Sequence, residues 1–379
     1  MQAALVTGRE TIELIDFPAP EPSPGRAVVD IAFCGICGTD LHAYQSGRPY
    51  NPAICGHEWS GTVSAARSDT TLKEGDRVAI GIANACGRCA TCQRGDAAHC
   101  ETAFAGLIGV GPMAAAHGGF APAIAIDASR LYPVRDSIDF ASAAMLEPAA
   151  IALHAVRRTP LRLGDAVVVI GGGPIGLLVA QCARAAGAGV VILVEPQARR
   201  RSLGGELGCS VLVDPTREDT AEAVVSATGR AGADVVFECA GIPETVETAV
   251  TLCRRGGAVS LVGVPNAPST INTAGWLVQE ISLTASLGYL REEFDLCQGL
   301  VHDGRLTLEP LHTSTVGLEQ IGDAFARLAS DPEDNKKHHQ PTPKNKHRTT
   351  KEEPKKNQHN NHTEQITKET TTEPAKDHA

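Results

Sequence analysis

Residues 166–195 of this chain read AVVVIGGGPIGLLVAQCARAAGAGVVILVE. The apolar run 166–171 predicts a buried strand, the small and apolar residues of 174–187 predict a helix, and 190–195 predict a second strand. Strands and helices continue to alternate as far as residue 264. Such alternation is typical of a parallel sheet that helices cover on both faces, so this part of the chain predicts an α/β, doubly wound fold.

The turn inside this stretch carries the pattern G-x-G-x-x-G at Gly171, Gly173 and Gly176, directly after a strand and at the head of a helix. Glycines permit the tight turn and the close approach of a pyrophosphate, and the helix N-terminus offers amide donors to phosphate. Glu195 ends the second strand, where a carboxylate can accept hydrogen bonds from the adenosine ribose. The pattern predicts a dinucleotide site; a doubly wound fold without nucleotide is the weaker alternative.

Glu195 would repel a ribose 2′-phosphate and therefore favours NAD over NADP. The run Arg199–Arg201 complicates this choice, since a guanidinium facing the adenosine would tolerate NADP, although a solvated helix face is the commoner role. We assign Arg200, with Pro174 and Ile175 of the glycine turn, to the cofactor site.

The remaining parts of residues 1–335 differ from one another in sequence pattern. Short apolar runs at 27–33, 61–66 and 77–82, separated by Pro and Gly, predict an irregular β-rich domain over the first 150 residues. The segment 281–288 predicts a final edge strand, and 291–330 predicts amphipathic helices.

Composition limits the function classes. The chain has 379 residues with 42% apolar residues, enough for two domains with a sizeable core, and its net charge of −10 argues against coating nucleic acid or an anionic membrane. It has 12 cysteines but no basic-then-apolar N-terminus and no credible membrane span. We interpret it as a cytoplasmic protein with reduced thiols, some of them bound to metal.

The net charge is unevenly distributed along the chain, and its sign changes at Lys336. The last 44 residues hold nine lysines, one arginine and six acidic residues, so they carry +4 and the preceding 335 carry −14. This tail has no glycine and a single large aliphatic residue, Ile366, and cannot bury enough apolar surface to fold. We predict a disordered, atypical tail over 336–379.

Four cysteines lie within fifteen residues, at Cys86, Cys89, Cys92 and Cys100. Four thiolates in tetrahedral geometry form a closed site that suits structural zinc. An iron–sulfur cluster and two disulfides remain alternatives on this pattern alone.

A second, open metal site is indicated by Cys37, His57 and Glu147. A thiolate, an imidazole and a carboxylate can hold zinc and leave its fourth position for water or an alcohol. Each residue also has a structural interpretation: a buried thiol, a hydrogen-bonded core histidine and a helix-capping acid, respectively.

These motifs together carry a resemblance. The chain resembles the medium-chain, zinc-dependent alcohol dehydrogenases, in the branch that contains sorbitol, butanediol and threonine dehydrogenases. The match covers nearly all of 1–335, with the segments in the order of that family: GICGTDLH (35–42), GHEWSG (56–61), the four-cysteine loop, LEPAAIALHA (146–155) and GGGPIG (171–176).

The resemblance implies site roles. It places a catalytic zinc on Cys37, His57 and Glu147, with Glu58 as an alternate ligand and Asp40 as the acid that orients the histidine ring. It makes Thr39 and His42 the proton relay. It also lays the nicotinamide half of the cofactor on strand ends that include Cys239–Gly241, Val262 and Leu287.

The resemblance further implies the organisation of the chain and its activity. Residues 1–154 would form a GroES-like catalytic domain, 155–290 a Rossmann domain and 291–335 a return to the catalytic domain, in a homodimer or homotetramer. The expected activity is NAD-dependent oxidation of a secondary alcohol, diol or polyol to a ketone. The alternatives are a non-catalytic dinucleotide-binding relative and an NADP-dependent reductase; the metal ligands oppose a zinc-free reductase.

One feature departs from the resemblance. Family members follow the helix near residue 330 with an apolar strand that returns to the catalytic domain, whereas this chain continues KKHHQPTPKNKHRTT. We therefore expect the closing strand to be missing.

Overall fold

A computed structural model describes residues 1–265 and 267–330, together with the backbone of the strand 336–339. The chain divides into one unit over Met1–Thr342 and another over Pro343–Ala379. The second unit, and with it most of the predicted disordered tail, lies outside the described residues.

The fifteen strands of the described residues form three sheets. Within the described residues they are β1 Gln2–Gly8, β2 Thr11–Asp16, β3 Arg26–Gly35, β4 Glu58–Ala66, β5 Arg77–Ile80, β6 Ala123–Asp127, β7 Leu131–Pro133, β8 Ala166–Ile170, β9 Val190–Val194, β10 Val211–Val213, β11 Ala233–Glu238, β12 Cys253–Leu261, β13 Ser282–Ala285, β14 His312–Val316 and β15 Lys336–His339.

The helices are concentrated in the second half of the body. They are α1 Gly38–Ser46, α2 Ala90–Gln93, α3 Glu101–Leu107, α4 Phe140–Ala144, α5 Leu146–Arg158, α6 Pro174–Ala185, α7 Ala198–Glu206, α8 Thr220–Thr228, α9 Pro243–Leu252, α10 Thr273–Gln279, α11 Arg291–His302 and α12 Ile321–Ser330.

Strands β8 to β13 form a parallel six-stranded sheet in the order β10-β9-β8-β11-β12-β13. All five residues of β8 and all six of β11 are buried, as expected of strands that helices cover on both faces. The predicted doubly wound fold is confirmed, and β13 is the edge strand that the segment 281–288 predicts.

At two positions of the glycine turn, only glycine fits the backbone. Gly171 has φ of +101°, and a Cβ there would meet the backbone of Ala240 at 2.9 Å. A Cβ on Gly176 would lie 1.9 Å from the carbonyl oxygen of Gly171. Strand β8 and helix α6 therefore approach each other too closely for any side chain.

The N-terminal part forms the predicted β-rich domain. Its larger sheet has the order β14-β15-β3-β4-β5-β7, with β6 also paired to β3, and β1 and β2 form a hairpin. Strand β3 lies between β15 and β4 and ends two residues before Cys37, so the sheet centre positions the first predicted metal ligand.

Two expectations for the C-terminal region are wrong. Residues 312–316 form the strand β14 inside a segment that we predicted as helical; its β-branched run HTSTV is the signal that the amphipathic pattern around it concealed. The closing strand is also present, because the backbone of β15 pairs with β14 and with residues 34–35 of β3. Ladder hydrogen bonds join backbone groups, so a polar sequence can fill the position.

Candidate active site

A thiol, an imidazole and a carboxylate meet where β3 and β4 lie side by side. Cys37 is the N-cap of α1, His57 directly precedes β4 and Glu58 begins it. One ligand atom from each of the three lies within 4.8 Å of the other two. A single ion could therefore contact all three side chains.

The electrostatics of His57 reflect these neighbours. Burial by itself would lower the pKa of His57, but the negative charges of Cys37, Asp40 and Glu147 and a hydrogen bond to Cys37 hold it well above its ordinary value. Its Nδ1 lies 2.9 Å from the carbonyl oxygen of Ile54. With Nδ1 donating to that carbonyl, Nε2 is the nitrogen with a lone pair for a metal.

Asp40 acts differently from the role that the sequence predicts. Its Oδ1 lies 3.9 Å from His57 Nδ1, and the carbonyl oxygen of Ile54 accepts the hydrogen bond from that nitrogen instead. The fully buried carboxylate of Asp40 accepts hydrogen bonds from the backbone N–H of Cys37 at 2.8 Å, the backbone N–H of Gly56 at 3.1 Å and the hydroxyl of Tyr50 at 2.7 Å. It thus fixes the two turns that carry the thiol and the imidazole.

Tyr50 is a site residue that the sequence reasoning missed, because an aromatic residue in a loop carries no signal of its own. The hydroxyl of Tyr50 donates a side-chain hydrogen bond to the buried carboxylate of Asp40. Burial raises the pKa of Asp40 above its usual range even with these donors present.

Glu147 lies beside the group of three and not within it. It sits in the first turn of α5 with 6% of its surface exposed. Its charge acts on His57 and on the buried guanidinium of Arg130, whose Nε donates to the carbonyl of Gly81 at 3.1 Å. The structure therefore groups Glu58, rather than Glu147, with Cys37 and His57.

The two predicted relay residues are exposed on α1 and line an open cleft. Thr39 donates its backbone N–H to Cys37 Sγ at 3.5 Å, and His42 lies one turn further along the helix. The cleft has a volume of about 640 Å³, and residues 264–265, which follow β12, form part of its opposite wall. Loss of water around the ring lowers the pKa of His42.

The four predicted zinc cysteines converge in one loop. Their sulfur atoms lie within 4.8 Å of one another, and Cys89 and Cys100 are the N-caps of α2 and α3. Backbone N–H groups point at the sulfurs, from Cys86 to Cys100 at 3.2 Å and from Cys89 to Cys86 at 3.3 Å. Such donors stabilise thiolates, and all twelve cysteines are free thiols, which removes the disulfide alternative.

The glycine turn and Glu195 also come together. Glu195 is 3% exposed and accepts hydrogen bonds from the backbone N–H of Gly172 and, at 2.8 Å, from that of Gln197. Each carboxylate oxygen keeps a lone pair for a ribose hydroxyl. Gly173 is the N-cap of α6, followed by Pro174 and Ile175 in its first turn, so the helix N-terminus faces the same turn.

Known proteins match this arrangement over the whole body. Residues 23–136 match the model of the alcohol dehydrogenase GroES-like domain, and residues 174–300 match that of zinc-binding dehydrogenases. The 2-dehydro-3-deoxy-L-galactonate 5-dehydrogenase of Pseudoalteromonas atlantica is 32% identical over 88% of this chain and 96% of its own. The sorbitol dehydrogenase of Bacillus subtilis is 30% identical over 86% of this chain and 93% of its own.

The chain belongs to the medium-chain, zinc-dependent alcohol dehydrogenase family. It is a zinc-dependent oxidoreductase that acts on the CH–OH group of alcohols with a nicotinamide dinucleotide. A putative zinc-binding dehydrogenase of Sinorhizobium meliloti 1021 bound to NADP has a similar structure, with a TM-score of 0.78, 30% identity and coverage of 90% of this chain and 99% of that one.

Both donor sets of this dehydrogenase fit zinc. The four thiols form the closed tetrahedral set of a structural site, and the thiol, imidazole and carboxylate group is the smaller set that leaves a position open. No helix among the residues that the structure describes is both long and apolar enough to cross a bilayer.

The predicted nicotinamide contacts of the dehydrogenase differ in burial. Val262 is buried after β12, and its N–H donates to the carbonyl of Glu238 at 2.9 Å. Leu287 follows β13, is 65% exposed and lines a groove of about 330 Å³, beside Cys100 and Phe104.

Two further side chains shape the dinucleotide domain, and the sequence analysis missed the first of them, Glu238. The buried carboxylate of Glu238 accepts hydrogen bonds from the N–H groups of Ala240 and Gly241, both at 2.9 Å, and so shapes the turn after β11. Within the run Arg199–Arg201, Arg201 holds the end of β9, donating to the carbonyl of Glu195 at 2.7 Å and pairing with Asp214 at 3.0 Å. Arg200 is half-buried on α7.

Proposed function

We propose that this enzyme transfers hydride between NAD and a secondary alcohol of a diol, polyol or sugar acid, forming the ketone. The observation that carries the proposal is the group of Cys37, His57 and Glu58 within 4.8 Å, next to a cleft between α1 and the dinucleotide domain. The relatives support the substrate class, since their names give a polyol and a sugar acid as substrates.

The catalytic zinc, in this proposal, is held by Cys37, His57 and Glu58, with Glu147 as the neighbouring carboxylate. This exchanges the roles of the two glutamates, since the resemblance implies Glu147 as the ligand and Glu58 as the alternate. Bound zinc would supply a Lewis acid for the substrate oxygen. The four cysteines would hold the structural zinc.

The proton of the alcohol needs a path to water. The Thr39 hydroxyl is the acceptor that we propose at the metal, and His42 passes the proton on at the cleft surface. The lowered pKa of His42 keeps its imidazole neutral near pH 7 and able to accept a proton. We propose NAD as the cofactor because the Glu195 carboxylate would repel a ribose 2′-phosphate.

Zinc analysis of two matched variants tests the ligand assignment. Glu58→Ala should lower the zinc content from two ions to one per subunit and abolish turnover, because the four-cysteine site keeps its ion. Glu147→Ala, a matched control, should retain both ions. Loss of an ion from Glu147→Ala with full zinc in Glu58→Ala would contradict the assignment.

We also propose a homodimer, or a homotetramer built from dimers. The edge strand β13 and the helix before it expose large apolar side chains, with exposed fractions of 81% for Leu277, 72% for Val278 and 42% for Leu283. A second copy of the edge could pair with it and cover them. Leu283→Lys should shift the mass measured by sedimentation to that of the monomer; an unchanged mass would overturn the proposal.

Free thiols support a reducing compartment, and we propose the cytoplasm. Fractionation of the source cells with an antibody to the chain would test this; recovery outside the cytoplasm would contradict it.

A further inference from the structure

The cleft beside Thr39 and His42 has an unusual charge for this chain. The protein carries a net charge of −10, yet the described residues that line the cleft include no carboxylate. Arg48 is the one lining residue there, among those described, with a permanent charge. This cationic side chain therefore lies in a concave surface that also contains Thr39, two residues from the proposed ligand Cys37.

The backbone of Arg48 is held in place. Gly47 ends α1 in the left-handed conformation with φ of +65°, and a Cβ there would lie 2.7 Å from the Cβ of Arg9, so the turn is packed closely against the β1–β2 hairpin. The N–H of Arg48 donates to Ser46 Oγ at 3.2 Å, and Pro49 restricts the residue before it to extended conformations.

The guanidinium of Arg48 is not used by the fold. None of the ion pairs or side-chain hydrogen bonds found among residues 1–265 and 267–330 includes it, whereas the guanidinium of Arg130 donates to a main-chain carbonyl and that of Arg291 to two. Arg48 thus presents its side-chain donors to the cleft from a fixed backbone.

We propose that Arg48 binds a carboxylate of the substrate, so that the enzyme prefers polyhydroxy acids to the uncharged polyols of the same chain length. This rests on the proposed function. A guanidinium matches a carboxylate with two parallel N–H···O bonds, which a hydroxymethyl group cannot reproduce. A cleft of about 640 Å³ has room for a six-carbon chain alongside Arg48 and Thr39, and Thr39 is two residues from Cys37.

A dinucleotide phosphate offers the same oxyanion chemistry, and the test separates the two sources. Wild-type enzyme is assayed with pairs that differ at one terminal carbon, gluconate with sorbitol and galactonate with galactitol. The variants are Arg48→Gln, Arg48→Lys and, as a matched control, Arg67→Gln, an exposed arginine outside the cleft. NADH affinity is measured separately by fluorescence.

We expect the wild type to prefer the acid of a pair and Arg48→Gln to lower kcat/KM for the acid by about 10- to 100-fold, with little change for the polyol or for NADH affinity. Arg48→Lys should retain part of the preference, and Arg67→Gln all of it. Added salt should weaken the preference of the wild type, because the pair is solvent-exposed.

Three outcomes would overturn the inference: a wild-type preference for polyols, an equal loss for acid and polyol in Arg48→Gln, or weaker NADH binding that accounts for the loss. If no alcohol is oxidised at all, the proposed function fails instead. Calorimetric binding of gluconate or galactonate to wild type and Arg48→Gln then still decides the role of Arg48.

Discussion

Two neighbouring residues, His57 and Glu58, show where residue-scale reasoning from sequence reaches its limit. Adjacent side chains of a strand point to opposite faces, so the pair is an unpromising choice for one ion. His57 lies just outside β4, however, and Glu58 is its first residue, so strand alternation does not apply to this pair. The alternative carboxylate, Glu147, lies on helix α5. No local sequence pattern reveals how far that helix lies from Cys37 and His57.

The glycine turn yields a stability prediction at the same scale. Gly176→Ala should destabilise the protein by about 3 kcal/mol, because the new Cβ would lie 1.9 Å from the Gly171 carbonyl oxygen and the backbone must move. Thermal unfolding of the apoprotein measures this effect.

Gly173→Ala is the matched control in the same turn. A Cβ there meets no atom within 4 Å, and its φ of −69° suits alanine. Equal melting temperatures for the two variants would show that close packing of β8 and α6 does not require the glycine.

At the scale of elements, the buried carboxylate of Glu293 on α11 contacts His154 and Arg157 of α5, the helix that carries Glu147. His154 Nδ1 lies 2.7 Å from Glu293 Oε2, and Arg157 lies 3.2 Å from the other oxygen. Burial by itself would raise the pKa of Glu293, but the hydrogen bonds from His154 and from the N–H of Leu290 and the nearby positive charges lower it below its usual value of 4.5.

This buried carboxylate predicts a pH-dependent stability. Because the pKa of Glu293 is lower in the folded state, its contribution is complete above about pH 4.5 and is lost as the pH falls through the folded value. Glu293→Gln should cost about 3 kcal/mol at pH 7, with a difference from wild type that shrinks toward pH 3. Unfolding in urea at several pH values measures it.

Glu292→Gln serves as the control, since the side chain of Glu292 is 68% exposed and lies 3.9 Å from Arg157, which is a long contact. It should change stability by less than about 0.5 kcal/mol at every pH. A cost for Glu293→Gln that stays constant down to pH 3 would contradict the ion-pair account.

At the scale of the whole molecule, the question is whether strand β15 contributes to the stability of the catalytic sheet. Strand β15 pairs with residues 34–35, two residues before Cys37, so its loss would free one side of the strand that leads to the metal group. Truncation after Asn335 should lower the melting temperature by about 5 °C and weaken zinc retention.

Truncation after Thr342 keeps β15 and removes only the second unit, so it should leave both properties unchanged. The comparison of the two truncations isolates the strand from the rest of the tail. Identical behaviour of the two proteins would mean that the polar strand contributes nothing to the sheet.

The sequence by itself determined the alternation of strands and helices, the glycine turn, the acid at the end of β9 and the four-cysteine loop. Each of these depends on neighbours within about thirty residues, where the 3.6- and 2-residue periods and the ligand spacing are read directly. The tertiary structure decided which carboxylate joins Cys37 and His57, that Asp40 holds two turns instead of the histidine ring, and that a polar segment completes the catalytic sheet. Those features depend on distances between segments far apart in the chain and on backbone hydrogen bonds that carry no side-chain signature.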